Sequence, residues 1–179
     1  MQELAPQEKK WLSEIAQGNL DALGAIYDGY AAMLYGYARS LGARRPLAED
    51  ALQEVFLRLA RRPATLSNVR NLRAYLFASV RREVFRWTRR RSLRRETHVA
   101  DPDPLFESAA GGISPAEALH VEEALSKLPM PQREVVVMKV YGLLTFDEIA
   151  RVTRVSPNTA AGRYRYAVEK LRRMLQEPR

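Results

Sequence analysis

Hydrophobic residues recur at intervals of three and four along most of this chain. In the first half they form four stretches, and apolar side chains with this spacing share one face of a helix. No stretch alternates apolar and polar residues with a period of two, so we expect helices and no sheet. The predicted inward positions, helix by helix, are Trp11, Leu12 and Ile15; Leu23, Ile26, Tyr27, Tyr30, Met33, Leu34, Tyr37 and Leu41; Leu52, Val55, Phe56 and Leu59; and Tyr75, Leu76, Val80, Val84 and Trp87.

Glycine, proline and capping residues set the predicted ends of these four helices, because they break or begin helical backbone. In chain order the ends are Pro6 and Gly18, Asn19 or Asp21 and Gly42, Pro46 and Pro63, and Leu72 and Arg95.

A segment of different character follows. Residues 97–115, THVADPDPLFESAAGGISP, hold three prolines, two adjacent glycines and only acidic charge, which predicts a flexible linker. Beyond it, helices are predicted to begin at Pro115, Pro131, Phe146 and Pro157, with Leu119, Leu125 and Leu128 facing inward. The predicted layout is a four-helix domain over residues 1–96, a linker over 97–115 and a second four-helix domain over 116–179.

The last two helices have the pattern of a helix-turn-helix. Thr145 and Glu148 form a capping box at the start of one, and Ser156 with Pro157 caps and begins the next. On the second helix an apolar face opposes a polar one whose side chains suit base edges and phosphates. That outer face carries Asn158, Thr159, Arg163, Arg165, Tyr166 and Lys170. The pattern favours DNA binding, and the alternative is a plain helical hairpin with a solvated basic face.

Charge supports a polyanionic partner. The 179 residues carry a net charge of +8, and RREVFRWTRRRSLRR at 81–95 holds eight arginines and one acid. Clustered cations attract nucleic acid, although a solubilising surface is the alternative. Arginines interleaved with Phe85 and Trp87 suit single-stranded DNA through phosphate contact and stacking, while Trp87 equally suits the core.

Several function classes are not expected. The chain has no cysteine and two histidines, so we predict no disulfide, no metal site and no cofactor. No apolar run approaches the roughly 20 residues that span a bilayer, which predicts a cytoplasmic protein without membrane insertion. There is no glycine-rich phosphate loop and no nucleophile with a plausible base. Adjacent acids such as Glu49 and Asp50 point about 100° apart on a helix, so we predict no catalytic residues and no enzyme.

The third helix carries an acidic and amide patch on an otherwise basic domain. Its members are Glu49, Asp50, Gln53 and Glu54. The alternative is a solvated helix face whose acids are favoured near the helix amino terminus by the macrodipole.

Three segments together resemble the extracytoplasmic-function (ECF) sigma factors of bacterial RNA polymerase, a subfamily of the sigma-70 family. They are AEDALQEVFLRL, NLRAYLFASVRREVFRWTRRR and ALSKLPMPQREVVVMKVYGLLTFDEIARVTRVSPNTAAGRYRYAVEKLRRML. The resemblance covers roughly residues 19–95 and 116–175. It implies an all-α fold of two small domains, a sigma region 2-like helical bundle and a sigma region 4-like helix-turn-helix domain, joined by a flexible linker.

The resemblance implies a transcription initiation factor with a role for each surface. Asp50, Gln53 and Glu54 would bind the clamp coiled coil of the largest polymerase subunit. The first domain would read and help to melt the −10 element through Ser67, Asn68, Arg70, Asn71, Arg81, Arg82, Arg86, Arg89 and Arg90. The second would read the −35 element through Asn158, Thr159, Arg163, Arg165 and Tyr166.

The implied partners are core RNA polymerase, whose flap region would contact the second domain, promoter DNA, and an anti-sigma factor that restrains the protein. Two readings from other classes stay open at this point. A free-standing helix-turn-helix regulator would bind promoter DNA without polymerase, and an RNA-binding module would use the arginine-rich helix. The acidic patch on the third helix counts against both, because neither needs it.

Overall fold

The computed structural model describes residues 4–92 and 115–176, and this part of the chain is helical throughout its regular elements. The predicted linker, apart from Pro115, lies outside the described residues, as do Arg94 and Arg95 of the arginine-rich segment. The helices are α1 (Pro6–Ala16), α2 (Asp21–Ser40), α3 (Arg45–Arg61), α4 (Leu72–Ser92), α5 (Pro115–Ser126), α6 (Met130–Val140), α7 (Phe146–Thr153) and α8 (Pro157–Gln176), with a 3-10 turn at Pro63–Leu66.

The first four helices form a bundle in which α2 packs against α1, α3 and α4. Helices α1 and α2 end close to the glycines that the sequence predicts as their ends. Gly18 and Gly42 adopt φ angles of 89° and 90°, which favour glycine because a side chain would be strained there. The bundle centre is fully buried and includes Ile26, Leu34, Leu72, Leu76 and Val80.

The remaining helices pack around α8, which contacts α5, α6 and α7. The predicted capping box is confirmed: the Glu148 amide donates to Thr145 Oγ1 at 3.3 Å, and the Thr145 amide donates to the Glu148 carboxylate at 2.8 Å. The turn into α8 places Arg154 in the left-handed region, and the Thr159 amide donates to Ser156 Oγ at 3.0 Å. The two helices α7 and α8 thus form the expected helix-turn-helix.

The two halves of the chain pack directly against each other, which the sequence pattern did not predict. Helix α4 contacts α7, and α2 contacts α6. One apolar cluster runs through both halves and includes Tyr37 and Phe77 from the first and Val137, Met138 and Ile149 from the second.

Two predicted inward positions are wrong. Tyr27 is 44% exposed, because α2 turns that edge of its apolar stripe toward a groove that no described element covers. Leu119 is 63% exposed. Helix α5 packs on α8 through the stripe that contains Leu125, and a residue six positions earlier points about 120° away around the helix.

In the described residues, no helix is both long and apolar enough to cross a bilayer.

Candidate functional site

The predicted docking residues Asp50 and Gln53 are exposed and lie one turn apart on α3. They line a groove of about 1000 Å³ between α2 and α3. The apolar wall of this groove includes Tyr27 and Phe56, whose rings meet edge to face at 5.0 Å, and the 42%-exposed Leu57. We call this surface the α2–α3 groove. It combines exposed apolar area with polar side chains from Arg45, Glu49, Asp50 and Gln53, a composition suited to a protein partner.

Sequence reasoning missed the apolar part of this surface. Leu57 lies one helical turn after Gln53, so the spacing alone places the two side chains on one face of α3. Tyr27 was assigned to the core, and only the packing of α2 against α3 shows that its ring reaches the groove.

Glu54 faces a different direction from Asp50 and Gln53. Its carboxylate lies 3.4 Å from Arg58 Nη2 and 3.9 Å from Arg86 Nη2. Arg58 also donates to the buried Glu83 carboxylate at 2.7 Å, and Arg86 forms an ion pair with the same carboxylate. The hydrogen bond to Glu83 raises the pKa of Arg58. Glu54 and Arg86, predicted for two separate interfaces, therefore meet in one ion-pair cluster between α3 and α4.

The polar residues predicted for the −10 element begin after the 3-10 turn. Asn68 and Arg70 are exposed, and Ser67 is exposed with its hydroxyl donating to the Ala64 carbonyl at 2.7 Å. Asn71 is half-buried: its Oδ1 accepts from the Ala74 amide at 2.8 Å, and its Nδ2 donates to Glu148 Oε1 at 2.8 Å. The loop thus presents three of these side chains to solvent, while Asn71 caps α4 and contacts α7.

The arginines of α4 likewise include exposed side chains and one that is held in contacts within the protein. Arg82, Arg89 and Arg90 are exposed. Arg81 instead lies with its guanidinium 4.6 Å from the centre of the Phe85 ring and donates from Nε to Glu134 Oε1 at 2.6 Å. Trp87 is half-buried against the core, so its indole belongs mainly to packing.

On α8, the predicted −35 residues share the outer face. Asn158, Thr159, Arg165 and Tyr166 are exposed, and Arg163 is half-buried. The opposite face is anchored by buried Ala160 and Ala167. A side-chain atom at Gly162 would meet nothing within 4 Å, so no packing within the protein requires glycine there. The outer face thus carries exposed polar and charged side chains, and the helix is capped at its Ser156 end.

A buried carboxylate between the two halves was not predicted at all. Glu134 of α6 is 1% exposed and accepts from the Tyr37 hydroxyl at 2.8 Å as well as from Arg81. Burial, followed by the nearby Glu134 charge, raises the pKa of Tyr37 well above its ordinary value. The sequence signal was an acid directly before the run VVVM, where a helix is otherwise apolar.

Within residues 4–92 and 115–176, no three His, Asp or Glu side chains come close enough together to hold a metal ion.

Comparison with known proteins separates the chain into two matched regions. Residues 26–94 match the family Sigma-70 region 2, and residues 119–171 match Sigma-70, region 4. ECF RNA polymerase sigma factor SigL of Mycobacterium tuberculosis is 30% identical over 171 residues, covering 93% of this chain and 96% of that protein. RNA polymerase sigma factor CarQ of Myxococcus xanthus is 26% identical over 172 residues, with the same coverage.

Two solved structures share the fold. The sigma factor RpoE in complex with the anti-sigma factor NepR from Bartonella quintana aligns with a TM-score of 0.70 at 21% identity, covering 93% of this chain and 99% of that one. CnrH in complex with the cytosolic domain of CnrY aligns with a TM-score of 0.65 at 24% identity, covering 94% and 97%. The arrangement of helices is therefore shared with these two proteins over nearly their whole length.

Proposed function

The chain belongs to the ECF subfamily of sigma-70 RNA polymerase sigma factors, and from this premise we propose how its surfaces divide the work of promoter recognition. As a sigma factor it is a transcription initiation factor that binds core RNA polymerase and promoter DNA. Catalysis in this assignment belongs to the polymerase, and the protein acts in the bacterial cytoplasm where polymerase and promoter lie.

We assign polymerase docking to the α2–α3 groove, with Asp50 and Gln53 as its polar anchors. The observation that carries this assignment is the exposure of both side chains beside the apolar wall formed by Tyr27, Phe56 and Leu57. A clamp coiled coil would place apolar side chains in the groove and a cation against Asp50. Glu54 is assigned a supporting role, because Arg58 and Arg86 already hold its carboxylate.

The −10 element is assigned to the loop after the 3-10 turn and the exposed arginines of α4. Ser67, Asn68 and Arg70 supply the hydrogen-bonding groups that a pocket for a flipped base needs, since unstacking a base costs a few kcal/mol that contacts must offset. Arg82, Arg89 and Arg90 supply phosphate contacts. Arg86 is assigned mainly to the cluster with Glu83.

The −35 element is assigned to the outer face of α8. Asn158 and Arg163 lie on the first turns of a helix that begins at a capped amino terminus, where side chains reach base edges in a helix-turn-helix. Arg165 and Tyr166 follow on the exposed side, with the guanidinium 5.2 Å from the ring centre. The flap region of polymerase is the proposed partner for this second domain.

An anti-sigma factor is the proposed regulator. The sigma factor RpoE, which has the same fold, was solved in complex with the anti-sigma factor NepR. The α2–α3 groove is the surface on which a restraining protein would block polymerase docking.

Polymerase docking can be tested with purified protein and core RNA polymerase on native gels. We expect the parent to form a complex and the Asp50→Arg/Gln53→Ala variant to lose it. The control is Asp28→Arg/Gln17→Ala, which makes the same two changes at exposed positions outside the groove. Loss of the complex in both variants, or in neither, would reject this docking surface.

Promoter reading can be tested by selecting DNA from a random-sequence library with the reconstituted holoenzyme. The parent should enrich two separated boxes. Arg163→Ala should weaken enrichment of the upstream box alone, and Asn68→Ala the downstream box alone. Arg172→Ala is the matched control, because it removes an exposed arginine from the far end of the same helix as Arg163. Tight selection by the protein without polymerase would instead favour a free-standing regulator.

A further inference from the structure

The ion-pair cluster between α3 and α4 holds two arginines close together at the protein surface. Arg58 of α3 donates to the Glu83 carboxylate at 2.7 Å, and Arg86 of α4 forms an ion pair with the same carboxylate. Glu83 is fully buried, whereas both arginine side chains stay partly exposed. A guanidinium carries five N–H donors, so contact with Glu83 leaves donors of both arginines for a second anion.

Glu54 occupies the position of that second anion. A single oxygen, Glu54 Oε1, lies 3.4 Å from Arg58 Nη2 and 3.9 Å from Arg86 Nη2. Both distances exceed the roughly 2.8 Å that is typical of charge-assisted hydrogen bonds. Glu54 is only half-buried, so water screens its attraction to the two arginines. An anionic oxygen therefore lies between two guanidiniums that hold it loosely, and an anion from outside can replace it.

The surroundings of the two arginines favour a polymeric anion. Arg82 lies four residues before Arg86 and Arg89 three residues after it, and residues at these spacings are neighbours on one face of a helix. Arg82 and Arg89 are exposed. A row of guanidiniums along α4, with Arg58 added from α3, suits the repeated phosphates of a nucleic-acid backbone better than one small anion.

We propose that Arg58 and Arg86 form a binding site for one phosphodiester of the single-stranded −10 DNA, in which the phosphate replaces the Glu54 carboxylate. Arg58 is then a DNA-contacting residue on α3, a helix otherwise assigned to polymerase docking. Glu83 is a positioning residue, because it holds both guanidiniums from beneath without touching DNA. The inference rests on the assignment of the −10 element to α4 and the loop before it.

A phosphate fits this position better than the carboxylate does. It offers separate oxygens to Arg58 and Arg86, whereas Glu54 meets both through one oxygen. The planar guanidinium also matches phosphate geometry through paired hydrogen bonds. Binding should therefore depend on the negative charge of one particular phosphate, and a methylphosphonate linkage removes that charge while leaving the bases unchanged.

The site can be tested with holoenzyme and a labelled single strand that carries the selected downstream box. Each phosphate of the box is replaced in turn by a methylphosphonate, and binding is measured by anisotropy. In the parent we expect a loss of about tenfold at a contacted phosphate. In Arg58→Gln/Arg86→Gln the loss at one such position should fall to about twofold or less, while the other contacted positions keep theirs.

The matched control is Arg172→Gln/Arg173→Gln, which removes the same two charges at exposed positions of the second domain and should keep the parent pattern. Circular dichroism confirms that each variant is folded. Glu83→Gln should reduce the loss at the same position as Arg58→Gln/Arg86→Gln and at no other. A general loss of stability would not produce that selectivity.

Glu54→Gln tests the exchange of carboxylate for phosphate while keeping both arginines. With core polymerase in excess, it should bind the unmodified strand about threefold more tightly than Glu14→Gln does. Glu14→Gln makes the same charge change in the same domain and removes a surface ion pair with Lys10 at 3.9 Å. The gain should vanish on the strand whose contacted phosphate is a methylphosphonate. If the double arginine variant does not fold, a gain no larger than that of Glu14→Gln overturns the proposal.

Three further results would overturn it. Losses that disappear in Arg82→Ala but persist at every position in Arg58→Gln/Arg86→Gln would reject this site and keep the −10 assignment. Parent holoenzyme that is insensitive to every methylphosphonate in the box would reject the −10 assignment and the site together. Inorganic phosphate, added at constant ionic strength, should leave DNA binding unchanged. Inhibition in the parent but not in the double arginine variant would indicate a site for a free phosphate compound instead.

Discussion

At Gly142 the backbone leaves no room for a side chain. A Cβ there would lie 2.5 Å from the Met138 carbonyl oxygen and 2.9 Å from Phe77 Cζ. Gly142→Ala should therefore lower the free energy of unfolding by about 1–3 kcal/mol, as overpacked sites do. Urea denaturation measures this. Gly162→Ala is the control, since a Cβ there meets nothing within 4 Å and alanine should stabilise the helix by about 1 kcal/mol. Effects of the same sign would contradict the packing seen around Gly142.

Tyr30 makes stability depend on pH above the neutral range. Burial, helped by the hydrogen bond to the Glu8 carboxylate, raises the pKa of Tyr30 to about 12, from about 10 in an unfolded chain. The folded state thus holds this proton more tightly. Its contribution is fully present below pH 10 and is lost as the pH rises through 12.

We therefore expect the urea midpoint of the parent to fall more steeply than that of Tyr30→Phe between about pH 10 and pH 12. The second buried phenol, Tyr37, is common to both proteins, so its raised pKa cancels in the comparison. Parallel midpoint curves for the two proteins would show that Tyr30 titrates normally when folded.

The sequence predicts the structural role of a single residue where that role depends on neighbours within one helical turn. The capping box of Thr145 and Glu148, and the cap at Ser156, depend on residues within one turn, and the structure has both. Tyr27 and Leu119 were misplaced, because their exposure depends on which element covers the edge of a helix. The roles of Asn71 and Arg81 in contacts 77 and 53 positions away lie beyond any local pattern.

At the scale of elements, α3 and α4 are joined by a buried acid between two arginines. Glu83 is 1% exposed, whereas the Arg58 and Arg86 side chains are 36% and 41% exposed. Helical periodicity predicted both helices and their inward apolar faces, but it cannot show which polar residues meet across the boundary between them. For that reason Glu54 and Arg86 were grouped with interface residues, although their carboxylate and guanidinium lie 3.9 Å apart.

This arrangement predicts that Glu83→Gln lowers the free energy of unfolding by more than the loss of one exposed charge does. It weakens the hydrogen bond from Arg58 and removes the charge that Arg86 pairs with, so we expect a loss of about 2 kcal/mol in urea denaturation. Glu49→Gln removes an exposed ion pair with Arg45 at 3.0 Å and should cost about 0.5 kcal/mol or less. Equal losses in the two variants would mean that burial adds nothing to the α3–α4 cluster.

At the scale of the whole molecule, two helical domains and their order were predictable, and their contact was not. Phe77 and Val137 would be called core residues in any arrangement, because periodicity reports that a face is apolar but not what covers it. Both lie in one apolar cluster that runs through both domains. The sequence feature that indicated this contact between the domains was Glu134, because a buried charge in a helix needs a partner from another element.

In the closed arrangement, as we call it, the two halves of the chain pack against each other through α4 with α7 and α2 with α6. This arrangement and the docking surface together predict that polymerase opens the protein. The α2–α3 groove includes Asp50 and Gln53, neither of which contributes to the polar contacts between the halves, so core polymerase can bind the closed form. Contact of the second domain with the flap region would then favour separation, because a ligand shifts a conformational equilibrium toward the state that it binds more tightly. Because the chain has no cysteine, spin labels can be placed through Ala16→Cys on α1 and Lys170→Cys on α8, both exposed positions. Pulsed electron resonance should report a longer distance between the two labels when core polymerase is added. The same labels in Asp50→Arg/Gln53→Ala should stay at the short distance, and those in Asp28→Arg/Gln17→Ala should separate as in the parent. A complex that forms on native gels while the short distance persists would show that docking of polymerase does not separate the two halves.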